Sequence, residues 1–97
     1  MTLSFSARLA PASAVMMRQV GDEAVIMNLK TNLCMGLDAV GARMWTLLTA
    51  SDSIQAAYES ILGEYDVDPQ TLRTHMEEFL GELEQNGLIE VYPLGAP

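Results

Sequence analysis

The sequence predicts an α+β domain in which a three-stranded antiparallel sheet is followed by three helices. Two observations lead to this fold class. Apolar residues alternate in the first third of the chain and recur at helical spacing after residue 37, and turn-forming residues separate these stretches. At 97 residues, 49% of them hydrophobic, the chain can bury one modest core. We therefore expect a single domain over residues 1–97, with its core at about residues 14–91.

Three strands are predicted, at residues 14–20, 23–29 and 33–37. Gly21 and Asp22 supply a tight turn between the first two, because both residue types tolerate turn geometry. A polar break at residues 30–32 precedes the third strand, in which alternation places Leu33, Met35 and Leu37 on one face.

Two helices should follow the sheet. Asp38 is the predicted N-cap of the first helix, whose apolar stripe contains Trp45 as an expected core residue. After a polar break at residues 51–53, apolar residues keep the i, i+3, i+4, i+7 pattern from Ile54 to Tyr65.

The third helix has clear signals at both ends. Asp68 is placed as its N-cap and Pro69 at its first position, where the missing N–H costs nothing. Asn86 and Gly87 end it by allowing a left-handed residue, and residues 88–92 are a possible short closing strand.

This order of elements is typical of winged-helix-like domains. Residues 1–12 and 93–97 show weak periodicity, so we expect them to be loosely held or to become ordered only in a complex. A three-stranded sheet leaves two edges that can pair with another strand. An open edge is a natural place for an extended peptide.

Charge and composition exclude several classes of function. The net charge is −8, and residues 50–97 carry Arg73 as their only Lys or Arg, so phosphate backbones would be repelled. A winged-helix DNA-binding regulator fits the architecture but not this charge. No stretch reaches the roughly 18 apolar residues of a membrane helix, and a lone cysteine, Cys34, favours a reducing cytoplasm.

A set of short motifs occurs in order between about residues 14 and 91. They are Val25-Ile26-Met27-Asn28-Leu29, Met35-Gly36-Leu37-Asp38, Gly41, Trp45-Thr46-Leu47-Leu48, Tyr65-Asp66-Val67-Asp68, Phe79-Leu80 and Gly87-Leu88-Ile89. Each motif alone is weak, but their order and spacing together are specific. With them, the chain resembles the PqqD-like family of leader-peptide recognition domains.

The resemblance implies that the chain binds the leader of a ribosomally synthesised, post-translationally modified peptide. The leader would add a strand beside the third strand and lie against the third helix. Strand addition suits such a role, because main-chain hydrogen bonds give affinity and pockets for alternate side chains give specificity. The resemblance favours a lasso-type subunit working with a separate cysteine leader peptidase. The alternative is a PqqD-type chaperone for a radical-SAM enzyme in pyrroloquinoline quinone synthesis.

Carried onto this sequence, the resemblance places the peptide-binding residues on the third strand and the third helix. They are Asn32, Leu33, Cys34, Met35, Gly36, Leu72, Arg73, His75, Met76, Phe79 and Leu80. The apolar members on the helix fit a core stripe equally well, and its glutamates fit either a solvated face or attraction of a basic leader. Arg73 has two candidate partners, a leader carboxylate or Glu77 one turn later. Proline at Met35 is expected to block pairing with the leader.

The sequence offers little for catalysis. It has no Gly-rich phosphate loop and no Cys-x-x-Cys, and the lone His75 lacks the partners that a metal site needs. We therefore expect a non-enzyme without metal or cofactor. Cys34 is expected to be a buried structural thiol. The redox alternative predicts that Cys34→Ser abolishes activity.

Overall fold

The computed structural model describes residues 5–92. Its elements, in chain order, are β1 (Arg8–Pro11), β2 (Val15–Val20), β3 (Glu23–Asn28), β4 (Cys34–Leu37), α1 (Ala39–Ala50), α2 (Ile54–Glu64), α3 (Pro69–Gln85) and β5 (Ile89–Tyr92). The predicted winged-helix-like α+β fold, with three antiparallel strands followed by three helices, is confirmed. The short closing strand is also present as β5.

The three-stranded sheet has the order β2-β3-β4, and both pairs of strands are antiparallel. Met17, Ile26 and Met35 lie side by side across it. Its inner face, which includes the buried Ile26 and Leu37, packs on the core. Gly21 and Asn32 adopt left-handed φ angles of 63° and 62° at the two turns, so each turn occurs where the sequence predicted a break.

The helix termini confirm the predicted caps. The Asp38 carboxylate accepts a hydrogen bond from the Gly41 N–H at 2.8 Å, and the Asp68 carboxylate accepts one from the Thr71 N–H at 3.0 Å. Gly87, with φ at 65°, follows the end of α3. Trp45 of α1 is buried, as expected of a core residue. No helix within residues 5–92 is long and apolar enough to cross a membrane.

The prediction that residues 1–12 are loosely held is wrong for residues 5–12. There, β1 pairs with β5 in a two-stranded antiparallel sheet, and Phe5 and Leu9 are buried. The carbonyl oxygens of Phe5 and Ala7 accept hydrogen bonds from the N–H groups of Gln55 and Ile54 at 2.7 and 2.8 Å. These N–H groups begin α2 and have no partner inside the helix, which explains why the segment is held. Residues 1–4 and 93–97, also part of that prediction, lie outside the described residues.

Candidate functional site

The central strand β3 divides its backbone hydrogen bonds between its two neighbours. The Leu29 N–H donates to the Ala14 carbonyl on the β2 side at 2.9 Å, whereas the Asn28 N–H donates to the Leu33 carbonyl on the β4 side at 2.9 Å. In an antiparallel ladder, successive residues point their backbone groups to opposite sides of the strand. Even-numbered residues of β3 therefore bond to β4, and odd-numbered ones bond to β2.

The same alternation determines which groups of β4 are free. Met35 pairs with Ile26 across the ladder, so its N–H and C=O point toward β3. The backbone groups of Cys34 and Gly36 point away from the sheet, along its open edge. Proline at Met35 would therefore remove an N–H from the domain's own ladder with β3, and its effect on pairing with the leader stays a prediction.

The β4 edge lacks the features that usually protect an edge strand. Cys34–Leu37 contains no charged residue and no proline, and the preceding Leu33 is exposed. A Cβ added at Gly36 would meet no atom within 4 Å among residues 5–92. The domain thus leaves both backbone groups and space available beside β4.

Asn28 fixes the turn that leads into β4. Its side-chain carbonyl accepts hydrogen bonds from the N–H groups of Lys30 and Thr31, at 2.9 and 3.2 Å, and its amide donates to the Gly87 carbonyl at 2.8 Å. The residue is only 6% exposed, so these bonds replace water. Asn28 was not among the predicted site residues, although a lone polar residue at the end of an apolar strand is a signal that the sequence contains.

The third helix begins near the start of α1 and ends near the turn that leads into β4. The bond from Asn28 to Gly87 holds the end of α3 at the turn where β4 begins. The first half of α3 lines a cavity of about 250 Å³ together with α1, which starts directly after β4 ends. The cavity is lined mainly by apolar side chains, with polar groups among them; the lining residues are Val40, Met44, Ile61, Tyr65, Asp66, Val67, Leu72 and His75.

The structure separates the predicted α3 residues into core and surface. Leu72, Met76 and Leu80 are 3%, 0% and 0% exposed, so their side chains hold α3 on the core and do not present a binding surface, although Leu72 contributes to the cavity wall. His75 is exposed beside the cavity, and Phe79 is half-buried against the core. The contact role of His75 and Phe79 stays a prediction.

Arg73 has a partner that the sequence did not suggest. Its guanidinium lies over the Phe5 ring, 4.0 Å from the centroid, in a cation–π contact. Within residues 5–92, the ion pair present is Arg43 with Glu64, so the predicted pair of Arg73 with Glu77 does not form. Arg73 therefore faces the N-terminal segment.

Cys34 is an exposed free thiol, and the expectation that it is buried is wrong. Alternation explains this, because Leu37 of the same strand faces the core and Cys34 points to the opposite face of the sheet. Asn32 is exposed, and its N–H is occupied by the Asn28 carbonyl at 2.8 Å. No group of three or more His, Cys, Asp and Glu among the described residues is placed to hold a metal ion.

A family model and a solved structure are similar to this chain. No curated protein sequence matches the chain. The solved structure of TbiB1 in complex with the TbiA(beta) leader peptide is similar, with a TM-score of 0.77 and 33% sequence identity over 91% of this chain and 98% of that one. The family model for coenzyme PQQ synthesis protein D (PqqD) matches residues 23–89, which is well over half of the sequence. The resemblance in the sequence is thereby confirmed, and the chain belongs to the PqqD family.

Proposed function

We propose that this protein binds the leader of a ribosomally synthesised precursor peptide as a fourth strand beside β4. The observation that carries the proposal is the open edge itself, where the backbone groups of Cys34 and Gly36 point outward. Membership of the PqqD family supports it, as does the likeness to TbiB1, which was solved with a leader peptide.

The two parts of the site would contribute differently to binding. Main-chain hydrogen bonds to Cys34 and Gly36 are independent of the leader's sequence, and each adds a net stabilisation of about 1 kcal/mol. Alternate leader side chains would point to the inner side of the sheet, toward α3 and the cavity that Val40 and His75 line. The cavity would therefore select the leader, and the strand edge would hold it.

Recognition without catalysis is the role we propose for the chain, with the reaction carried out by a separate enzyme. A cysteine leader peptidase of a lasso-type pathway is favoured, and a radical-SAM enzyme of pyrroloquinoline quinone synthesis is the alternative. The outer face of the sheet supports such delivery, since Met16, Val20 and Val25 expose an apolar surface there. A leader added at β4 would extend this surface with its own outward side chains.

DNA binding is the less favoured reading of the same fold. The helix that would enter a DNA groove is α3, and it exposes Glu78, Glu82 and Glu84 to solvent. These carboxylates would oppose approach to phosphates. An electrophoretic shift with random-sequence DNA is expected to show no binding.

Titration with synthetic leader peptides encoded beside the gene tests the proposal, with fluorescence polarisation as the signal and a scrambled leader as control. We expect sequence-dependent binding with a Kd of about 1 μM or tighter, which corresponds to roughly −8 kcal/mol. Cys34→Pro removes an outward N–H and should weaken binding at least about tenfold, or ~1.4 kcal/mol. Cys34→Ser keeps that N–H and should bind like the wild type, which also tests the redox alternative.

Two results would count against the proposal in different ways. If the protein bound none of the neighbouring leaders, leader recognition would be ruled out as its function. Equal affinity of the Cys34→Pro and Cys34→Ser variants would instead place the leader elsewhere on the domain. Melting curves of both variants are needed beside the titration, so that loss of folding is not read as loss of the edge.

A further inference from the structure

The sheet has a second open edge, on β2. Because the Ala14 carbonyl bonds to Leu29, the even-numbered residues of β2 face β3 and the odd-numbered residues face outward. The backbone groups of Met17 and Gln19 therefore point outward along this edge, where no other strand within residues 5–92 pairs with them. At six residues, β2 is longer than β4, which has four.

A cleft accompanies this edge. It lies between β2 and α1, has a volume of about 390 Å³, and is lined by Met17, Gln19, Asp22, Ala39, Ala42, Arg43, Thr46 and Tyr65. A strand added beside β2 would send its inward side chains into this space. The β2 edge thus combines free backbone groups with room for the side chains of another strand.

We propose that the β2 edge pairs with β2 of a second copy of this chain, antiparallel about a two-fold axis. The two sheets would join into one, and both β4 edges would remain free at its ends. With Met17 on the axis, the backbone groups that face outward meet each other, and Arg18 lies opposite Met16 of the other copy. A shift of the register that placed Arg18 on the axis would bring two arginines together, so charge selects the first register.

Charge complementarity at the ends of β2 identifies a second copy as the partner. Asp22 is the second residue after β2 and forms no ion pair with any residue in the described range. Lys30 is held at the other end of the strand, where its Nζ donates a hydrogen bond to the Ser13 Oγ at 3.3 Å. In the antiparallel arrangement, Asp22 of each copy lies beside Lys30 of the other. When two copies of β2 lie antiparallel, the end that carries the acid in one copy lies beside the end that carries the base in the other.

The net charge of −8 opposes association of two copies but does not prevent it. Charges separated by more than about 8 Å are largely screened at physiological ionic strength. With Met17 on the axis, Asp22 would lie opposite Ala12 of the other copy, next to the Ser13 to which Lys30 donates a hydrogen bond. The attraction between Asp22 and Lys30 acts locally, where repulsion between the distant acidic surfaces is weak.

Charge reversal tests the proposal, with sedimentation equilibrium of the full chain over a wide concentration range. The wild type is expected to form dimers. Asp22→Lys and Lys30→Asp should each weaken dimerisation about tenfold or more, and the double variant should recover most of that loss. Asp52→Lys is the matched control, because it makes the same charge change on the exposed turn between α1 and α2 and should leave the dimer intact.

Three outcomes would overturn the proposal. They are a wild type that stays monomeric, a double variant no tighter than either single variant, and an Asp52→Lys variant that dissociates as readily as Asp22→Lys. Leader titration of Asp22→Lys and Asp52→Lys keeps the two proposals separate. Because β4 lies on the far side of the sheet from β2, Asp22→Lys should bind the leader as Asp52→Lys does, whether or not the dimer forms.

Discussion

The two edges of one sheet differ in what surrounds them. The β4 edge is short, carries no charge, and lies near a mainly apolar cavity of about 250 Å³. The β2 edge is longer, includes Arg18, and borders a larger cleft whose lining contains Asp22 and Arg43. Both present the same unpaired N–H and C=O groups.

Backbone groups alone therefore do not decide what an edge binds. Main-chain hydrogen bonding is available at both edges, so the choice of partner depends on the flanking side chains. A cavity with Val40 in its wall suits a leader that inserts an apolar residue. Opposite charges at the two ends of β2, from Asp22 and Lys30, suit a reversed copy of the same strand.

The largest expected effect comes from Asn28→Ala, which should destabilise the β4 edge more than the β2 edge. The change removes three part-buried hydrogen bonds that the Asn28 side chain makes with the N–H groups of Lys30 and Thr31 and with the Gly87 carbonyl. We expect a loss of about 2–3 kcal/mol, which for a domain of this size lowers Tm by on the order of 10 °C. Hydrogen exchange should accelerate in β4 more than in β2.

Asn86→Ala is the control for that comparison. Its amide donates to the Glu82 carbonyl within the last turn of α3 at 2.9 Å, and the bond is exposed, so its loss should cost less than about 1 kcal/mol. If exchange rose equally in β2 and β4 of Asn28→Ala, Asn28 would support the whole sheet and not the β4 turn in particular.

Val40→Glu should weaken leader binding at the β4 edge without changing the stability of the domain. Val40 is 42% exposed and lines the cavity near β4, so a carboxylate there is expected to weaken leader binding about tenfold. Stability should hold, because an acid in the first turn of α1 interacts favourably with the helix dipole. Fluorescence polarisation and melting curves on the same variant measure both quantities.

Ala39→Glu adds the same charge one residue earlier, where the side chain lines the β2 cleft. Its leader affinity should stay within about twofold of the wild type, a difference below 0.5 kcal/mol. Equal losses in the two variants would indicate a general charge effect and not a role for the cavity.

Local signals in the sequence predicted most of the fold. Asp38 and Asp68 were identifiable as helix caps because a cap bonds to a residue three positions later. β1 was missed because its partner is β5, at the other end of the chain, with Leu9 opposite Val91. Phe5, Ala7 and Leu9 alternate, but the periodicity of residues 1–12 as a whole is weak, and nothing local indicates what these three residues pack against.

The candidate site was harder to predict, because most residues of the apolar stripe on α3 pack in the core and are not available to a ligand. The stripe contains Leu72, Met76 and Leu80 together with Phe79. Only the packing of the folded domain shows that Leu72, Met76 and Leu80 are buried in the core. For β4, alternation in the sequence also indicates which side chains are exposed. Alternation that faces Met35 inward also turns Cys34 outward, and so its exposure was predictable.

The smallest expected effect concerns the Arg43–Glu64 ion pair beside the β2 cleft. Arg43 Nη2 and Nε donate to Glu64 Oε2 and Oε1 at 2.6 and 2.9 Å. The hydrogen bond from Arg43, helped by its positive charge, holds the pKa of Glu64 below its usual value. A depressed carboxyl pKa stabilises the fold above the unfolded-state pKa, and that contribution is lost as the pH falls through the folded-state pKa. Since both side chains are exposed, the contribution is small.

Melting curves of the wild type and Glu64→Gln across pH measure this contribution. Glu64→Gln should melt slightly below the wild type at neutral pH, and the difference should vanish in acid. Leader affinity should not change, because Arg43 lines the cleft beside β2 and is not among the residues that line the cavity with Val40, although Tyr65 lines both. A Glu64→Gln variant that bound leader more weakly would show that α1 couples the two edges, and they would then not be independent binding sites.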